Sequence, residues 1–193
     1  TGIQETARII RYKLMIDWCI KNGVQELVLA HHQEDQAETF LMRLSRGSGV
    51  DGLACMREVT LREGVRLLRP LLKIPKGRLR ATLKSQNQDW LEDPTNSNPA
   101  FSRTLIRELS ILLNKREVGA QRLAFLSEQF GQIRAKLEEV TRLVIDRAAR
   151  IHPTGWASIN GELLVHLPDE VGRRVMIFLL QSIGGRSYPP RRK

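Results

Sequence analysis

The sequence predicts an α/β domain followed by a mostly helical second domain on a long spine helix, and two patterns carry that expectation. Ahead of Gly47, a helical stripe, a short apolar run and a second helical stripe follow one another, an αβα order. Further on, apolar residues recur at Leu123, Leu126, Phe130, Ile133, Leu137, Val140 and Val144, in alternating steps of three and four, which is a heptad seam. A helix over residues 118–150 would run about 50 Å at 1.5 Å per residue, too long for an element of a small α/β sandwich. It therefore reads as a spine between a domain at residues 1–114 and a second at residues 115–193, the latter with a small hairpin.

Residues 5–21 place Ala7, Ile10, Leu14 and Trp18 on one stripe, with Gly23 just beyond as a left-handed cap. Residues 26–30 (ELVLA) read as a short buried strand. After Gln33 the period turns helical, with Ala37, Phe40, Leu41 and Leu44 on one face. His31 and His32 then occupy a strand-to-helix turn, and in open α/β sheets ligands bind at the carboxyl ends of strands. Within residues 58–72, two apolar patches flank Glu63 and Gly64, the pattern of a hairpin. Pro75 opens a helix holding Leu79 and Leu83 that ends near Asn87. Residues 90–99, with Asp93, Pro94, Asn96, Ser97, Asn98 and Pro99, have loop chemistry, and helical spacing resumes over 102–113. Beyond the spine, the run 156–159, the pair Asn160-Gly161 and the run 163–167 read as a hairpin with an Asn-Gly turn. A last helix over 169–183 precedes a loose basic end, RSYPPRRK. The heptad seam lasts about three heptads, which favours packing on the chain's own helices and leaves a homodimer as the other option. The chain starts at Thr1 without a preceding strand or turn, so its N-terminus reads as cut from something longer.

Composition narrows the class. With 193 residues, 41% of them hydrophobic, the chain can bury a sizeable core, which excludes a disordered protein. Thirty-one Lys and Arg against 21 Asp and Glu leave a net charge of +10, suited to a polyanionic partner such as nucleic acid, although solubility alone would account for it equally well. Cys19 and Cys55 are far apart and are too few for a disulfide framework or a four-cysteine zinc site, which fits a reducing cytoplasm. No apolar run nears the roughly 20 residues that span a bilayer, and no signal peptide opens the chain, so no membrane association is expected.

The residues with chemistry cluster on the turn after the ELVLA strand. Asp35 and Glu38 are three apart, hence neighbours on one helical face, which the spacing sets away from the apolar stripe. Acids in a first turn complement the helix dipole, and that alone would explain them. Side by side at a crevice, they also suit an ammonium group. A metal reading for His31, His32 and Asp35 is set aside, because adjacent turn residues diverge and the remaining histidines, His152 and His166, lie past the spine. Arg103 and Arg107, four apart, either share one phosphate or form a solvated basic face. Arg46 with Gly47, Ser48 and Gly49 has the pattern of a helix C-cap.

The run HHQEDQAETFLMRLSRGSGVDGL (residues 31–53) resembles the HHxDDQxETxLxRLxRGSGxxGL pattern of bacterial tRNA(Ile)-lysidine synthetases, members of the N-type ATP pyrophosphatase, or PP-loop, superfamily. ARIIRY at residues 7–12, RPLL at 69–72, WLEDPTN at 90–96 followed by Arg103 and Arg107, and GGRSYPPR at 184–191 agree with the same family. The HHxxDxxET part is shared with related tRNA thiolases; the RGSG continuation, the Asp93 and Asn96 loop and the YPPR tail narrow the assignment. Glu34 stands where the pattern has Asp, Thr95 where Ser is usual and Thr104 where Asn is usual.

The resemblance implies a truncated parallel-sheet, adenine-nucleotide-hydrolase-like domain. It also implies ligation of L-lysine to C2 of the anticodon wobble cytidine of tRNA(Ile), through a base adenylated by ATP, with Mg2+ accompanying the nucleotide. It makes Asp35 and Glu38 the holders of the substrate lysine's amino groups and puts His31 at the nucleotide end of the site. Arg8, Arg11, Arg46, Arg103 and Arg107 become contacts for nucleotide or tRNA phosphates. The family's SGGxDS phosphate loop is absent: Ser48 to Asp51 follows a helix, and Gly184 to Ser187 leads into Tyr188 and prolines, whereas a phosphate loop leaves a strand and opens a helix. The expected place of that loop is before Thr1, which makes this chain a fragment expected to be inactive alone. A tRNA thiolase is the neighbouring alternative, disfavoured because Cys19 and Cys55 form no CxxC; a non-catalytic basic RNA-binding module is the alternative from another class.

Overall fold

The computed structural model describes residues 3–91 and 118–185, together with Ile106, Leu109, Ser110, Leu112 and Leu113. The loop residues 92–99, most of the helix expected over 102–113 and the basic end after Gly185 lie outside the described residues, as do Arg103 and Arg107. In chain order the elements are α1 (Ile3–Lys21), β1 (Glu26–Val28), α2 (Gln33–Leu44), α3 (Val50–Leu53), β2 (Val59–Arg62), β3 (Val65–Leu68), α4 (Lys76–Ser85), α5 (Ala120–Ala148), β4 (Ala149–Ile151), β5 (Ala157–Ile159), α6 (Gly161–Val165) and α7 (Asp169–Gly184). The chain divides into two compact units, Thr1–Gly131 and Gln132–Lys193, and α5 starts in the first and ends in the second.

The first unit is α/β. Its sheet has the order β1-β3-β2, with β1 parallel to β3 and β2 antiparallel to it. The β2–β3 hairpin closes where expected, at Glu63 and Gly64, both with positive φ (49° and 84°), the backbone of a tight primed turn. α1 ends in a Schellman motif: Val24 N–H donates to the Cys19 carbonyl at 2.8 Å and Gly23 N–H to that of Ile20 at 3.2 Å, with Gly23 at φ 67°. Val24 and Cys19 then meet in the core, the apolar contact that goes with this cap.

α1 turns a different face to the sheet from the one the sequence suggests. Tyr12, Ile16 and Cys19 pack on Val65 and Leu67 with Met15, Leu27 and Leu29 beside them. Ile10, Leu14 and Trp18 are 52%, 64% and 60% exposed. The helix carries apolar residues almost all round, so its period admitted two core faces, and contact with β1 and β3 selects the one on which Tyr12 lies. β1 is correspondingly amphipathic rather than buried throughout: Leu27 points to α1, whereas Val28 is exposed on the opposite sheet face with Val59 and Leu61. A second core joins Ala37, Phe40 and Leu41 of α2 with Leu53 and Leu123, and Phe40 meets Phe130 with ring centroids 6.2 Å apart.

α5 holds 29 residues, about 43 Å at 1.5 Å per residue. Its buried row is Leu123, Ser127, Phe130, Leu137, Thr141, Val144 and Ala148, buried or half-buried, whereas Leu126, Ile133 and Val140 of the expected seam are exposed. The seam is thus rotated by one residue at every second position. Small side chains occupy the places where apolar ones were expected, and the hydroxyls are satisfied within the helix, Ser127 donating to the Ala124 carbonyl (2.8 Å) and Thr141 to that of Leu137 (2.6 Å).

In the second unit, Leu137, Val144 and Ile145 pack with Val171, Val175 and Leu179 of α7 and with Ala149, Ala157 and Ile159 of a two-stranded hairpin. That hairpin pairs β4 with β5, not the runs on either side of Asn160-Gly161. Asn160 instead caps α6, its side-chain oxygen accepting from Glu162 N–H at 3.0 Å and Leu163 N–H at 3.3 Å. An asparagine serves a helix N-cap as readily as a turn, and the strand partner for residues 157–159 comes from the end of α5, so the Asn-Gly pair is free to start a helix.

Candidate functional site

The turn between β1 and α2 lies at the carboxyl end of β1, beside the parallel β1–β3 pairing, the position where open α/β sheets bind ligands. His32 is the N-cap residue of α2, in extended conformation. Its backbone N–H donates to Asp35 Oδ2 at 2.9 Å, the reciprocal half of a capping box. Its ring joins the same acidic group: Nδ1 is 3.1 Å from Glu34 Oε2 and Nε2 is 3.5 Å from Asp35 Oδ2. Three carboxylates, those of Glu34, Asp35 and Glu38, therefore occupy the first turns of α2, where the helix dipole favours negative charge.

Each acid has a distinct place. Asp35 both caps its own helix and remains partly accessible, with 23% of its side chain exposed. Glu38 is only 7% exposed, which corrects the outward-facing helical side expected for it. The apolar face of α2 is wide enough, from Ala37 to Leu41, to draw Glu38 inward at its edge. Glu34, the residue that departs from the family pattern, accepts the backbone N–H of Lys76 at 2.9 Å and 3.1 Å through its two oxygens, capping α4 from 42 positions away. Gln33 N–H donates to the Ile74 carbonyl at 3.1 Å, so the starts of α2 and α4 are tied together at this turn. The longer arm of a glutamate suits that cross-chain cap, and nothing in the local sequence announces its partner.

Two further residues, present in the quoted motifs without an assigned role, tie neighbouring segments together. Gln36 is buried, and its amide clamps the backbone of Met56, donating to the carbonyl and accepting from the N–H, both at 3.0 Å. Arg69 is buried and donates to the Arg57 carbonyl at 3.0 Å and to Thr60 Oγ1 at 3.1 Å, fixing the segment that leads into β2. Nearby, Lys73 bridges Glu128 at 2.8 Å and Glu58 at 3.4 Å, and these carboxylates, Glu128 foremost, hold its ammonium above the usual lysine range.

The basic candidates divide. Arg8 and Arg62 place their guanidinium groups over the Tyr12 ring, each 5.4 Å from its centroid, and Arg11 is exposed on the same helix. Arg62, on β2, gives no sequence signal because its partner is on α1. Arg46 is exposed at the far end of α2, about 16 Å along the axis from Asp35 at 1.5 Å per residue. It belongs to a second Schellman cap, in which Gly47 has φ 66° and its N–H donates to the Leu44 carbonyl at 2.9 Å. His31 is half-buried immediately before the cap. Among the described residues no cluster of three or more His, Cys, Asp or Glu is arranged to hold a metal ion, and no helix is long and apolar enough to cross a membrane.

A sheet with a parallel β1–β3 pair and an acidic turn at the carboxyl end of β1 sets the class, and a family model described as the PP-loop domain matches residues 1–113. The chain belongs to the PP-loop domain family. Several relatives over nearly the whole chain carry one name: it is 35% identical to the tRNA(Ile)-lysidine synthase of Wolbachia pipientis wMel over 98% of this chain and 44% of that protein. It is 44% identical to that of Bradyrhizobium sp. strain BTAi1, over 95% of this chain and 53% of the relative. It is likewise 44% identical to that of Rhodopseudomonas palustris, over 98% and 55%. The chain thus spans about half the length of the relatives it matches. Among solved structures, a U34-tRNA thiolase from Methanococcus maripaludis matches with a TM-score of 0.54 at 17% identity, covering 68% of this chain and 45% of that one, a likeness of fold.

Proposed function

We propose that the protein carrying this chain is a tRNA(Ile)-lysidine synthase, and that Asp35 and Glu38 bind the amino groups of its lysine substrate. The observation that carries the reading is the Asp35–Glu38 pair at the start of α2, one carboxylate partly accessible and the other buried, at the carboxyl end of β1. Two carboxylates one helical turn apart offer several acceptor oxygens, and an ammonium group supplies three N–H donors for charge-assisted hydrogen bonds to them. The names of the relatives along this chain support the substrate.

In the proposed reaction, ATP activates the oxygen at C2 of the wobble cytidine as an adenylate, releasing diphosphate. The lysine side-chain nitrogen then forms a bond to C2, the bond from C2 to the AMP oxygen breaks, and the nitrogen gives up a proton. His31, beside the cap, is the candidate acceptor of that proton. Arg8 and Arg11, exposed on α1, are proposed phosphate contacts for nucleotide or tRNA; Arg46 is suited to tRNA rather than to the lysine end of the site. Arg103 and Arg107 keep the same proposed role. Mg2+ would accompany the ATP phosphates. The 193-residue sequence holds no SGGxDS loop, so activity is expected when an upstream segment supplies one and not from these residues alone. Thiolase chemistry finds less support, because Cys19 is buried in the α1 core and Cys55 is its sole companion. Cytoplasmic location is part of the proposal, since that is where tRNA and ATP meet.

Steady-state kinetics in lysine test the roles. Glu38→Gln and Asp35→Asn should each lower kcat/KM for lysine by about 10- to 150-fold, the worth of one charge-assisted hydrogen bond, with tRNA affinity unchanged. His31→Ala should lower kcat with little change in the KM for lysine. Unchanged lysidine formation in His31→Ala would remove that residue from the chemistry. Equal activity with and without the SGGxDS segment would show that the ATP site is elsewhere.

A further inference from the structure

We propose that the outer face of the β4–β5 hairpin is a stacking platform for an unpaired nucleobase of an RNA. The register fixes which side chains share that face: Ala149 pairs with Ile159, Arg150 with Ser158 and Ile151 with Ala157. The ladder continues by one more pair, with His152 N–H donating to the Trp156 carbonyl at 2.8 Å, before Gly155, at φ 89°, closes the turn. Side chains alternate across a strand, so Ala149, Ile151, Ala157 and Ile159 share one side and Arg150, His152, Trp156 and Ser158 the other. Ala149, Ala157 and Ile159 pack on the Val171, Val175 and Leu179 core, which turns the second set away from it.

On that outward side, the His152 imidazole stacks on the Trp156 indole with centroids 3.5 Å apart and planes inclined by 13°. The stack covers one face of the indole and restrains the ring, yet Trp156 remains 52% exposed. An aromatic plate already fixed in place loses little conformational freedom when a base lands on it. Arg150 is exposed one pair away on the same side, and no carboxylate among the described residues pairs with it. An aromatic plane beside an exposed guanidinium is what a nucleotide needs, ring to base and cation to phosphate. The net charge of +10 draws a polyanion toward such a surface. An apolar protein partner is less suited, because Arg150 and Ser158 flank the stack. The choice of RNA rests on the proposed tRNA-modifying function; the platform itself rests on the hairpin geometry.

The test uses the 193-residue chain with Trp18→Phe and Trp90→Phe, which leaves Trp156 as the fluorophore. An unmodified tRNA(Ile) transcript should quench Trp156 emission, whereas a fully paired RNA duplex of the same length should not. In filter binding, Trp156→Ala should weaken tRNA affinity about 5- to 100-fold, Trp156→Phe should stay within about threefold, and Arg150→Ala should lower the salt slope by about one. If the parent chain binds tRNA while Trp156 emission stays constant, or if Trp156→Ala binds as tightly as the parent, the platform is wrong and the tRNA reading stands. If the parent chain binds no tRNA, both fall. Equal quenching by the duplex would also overturn the platform, since a duplex offers no unpaired base.

Discussion

Asp35 serves two needs with one carboxylate: it closes the N-terminus of α2 on His32 N–H, and it stands at the mouth of the proposed lysine site. A substitution there should therefore register in two experiments. Asp35→Ala should cost about 1 kcal/mol in urea melts, the usual worth of a helix cap, besides its effect on lysine. Gln36, by contrast, is structural. Gln36→Ala removes the clamp on Met56 and leaves a part-buried backbone N–H and C=O unpaired, so it should cost about 2 kcal/mol in the same melts. The acidic pair was legible in the sequence because its spacing is local. Glu34, Gln36 and Arg62 were not, since each acts on a partner in another element: Lys76, Met56 and the Tyr12 ring.

Elements were legible where they rest on local chemistry. The Gly23 and Gly47 caps, the Glu63-Gly64 turn and the Pro75 start stand where turn and cap residues put them. Choice of face was less legible, because α1 is apolar on more than one side and α5 buries Ser127 and Thr141, which a search for large apolar residues skips. The corrected face of α1 predicts that Ile16→Ala costs about 2–4 kcal/mol, whereas Leu14→Ala costs less than about 1 kcal/mol, read by thermal or urea unfolding. The reverse order would restore the stripe through Leu14. In α7, Arg173, reinforced by Arg174, holds the Glu170 carboxyl below its ordinary range against the opposing effect of burial. A depressed carboxylate stabilises the fold above its unfolded pKa, and that stabilisation is lost as pH falls through the lower folded value. Glu170→Gln should therefore be destabilising near neutral pH, by under about 1 kcal/mol because the pair is partly exposed, and should match the parent once both carboxyl forms are protonated. Melting curves of the two proteins across the acid range check the sign.

For the molecule as a whole, the αβα order and the long helix were readable because each is a periodic pattern many residues long. Half of the sheet was readable too, as the hairpin at Glu63 and Gly64; the parallel pairing of β1 with β3 came only with the family resemblance, since it depends on a crossover through α2, α3 and β2. The excess of basic residues gains meaning from where it stands: Arg8 and Arg62 over one tyrosine, with Arg11 exposed on the same helix, and Arg150 beside a stacked tryptophan. Both groups suit a polyanion, and the acidic turn between β1 and α2 suits a cation. That division of charge fits the proposed joining of a lysine to a tRNA. Labelled-lysine transfer to tRNA(Ile) measures it most directly, using this chain preceded by an SGGxDS segment, with AMP counted alongside. The prediction is one AMP released per lysine attached to cytidine, abolished without ATP and reduced at least tenfold by Glu38→Gln. AMP release that proceeds without lysine incorporation, or incorporation indifferent to Glu38→Gln, would contradict it.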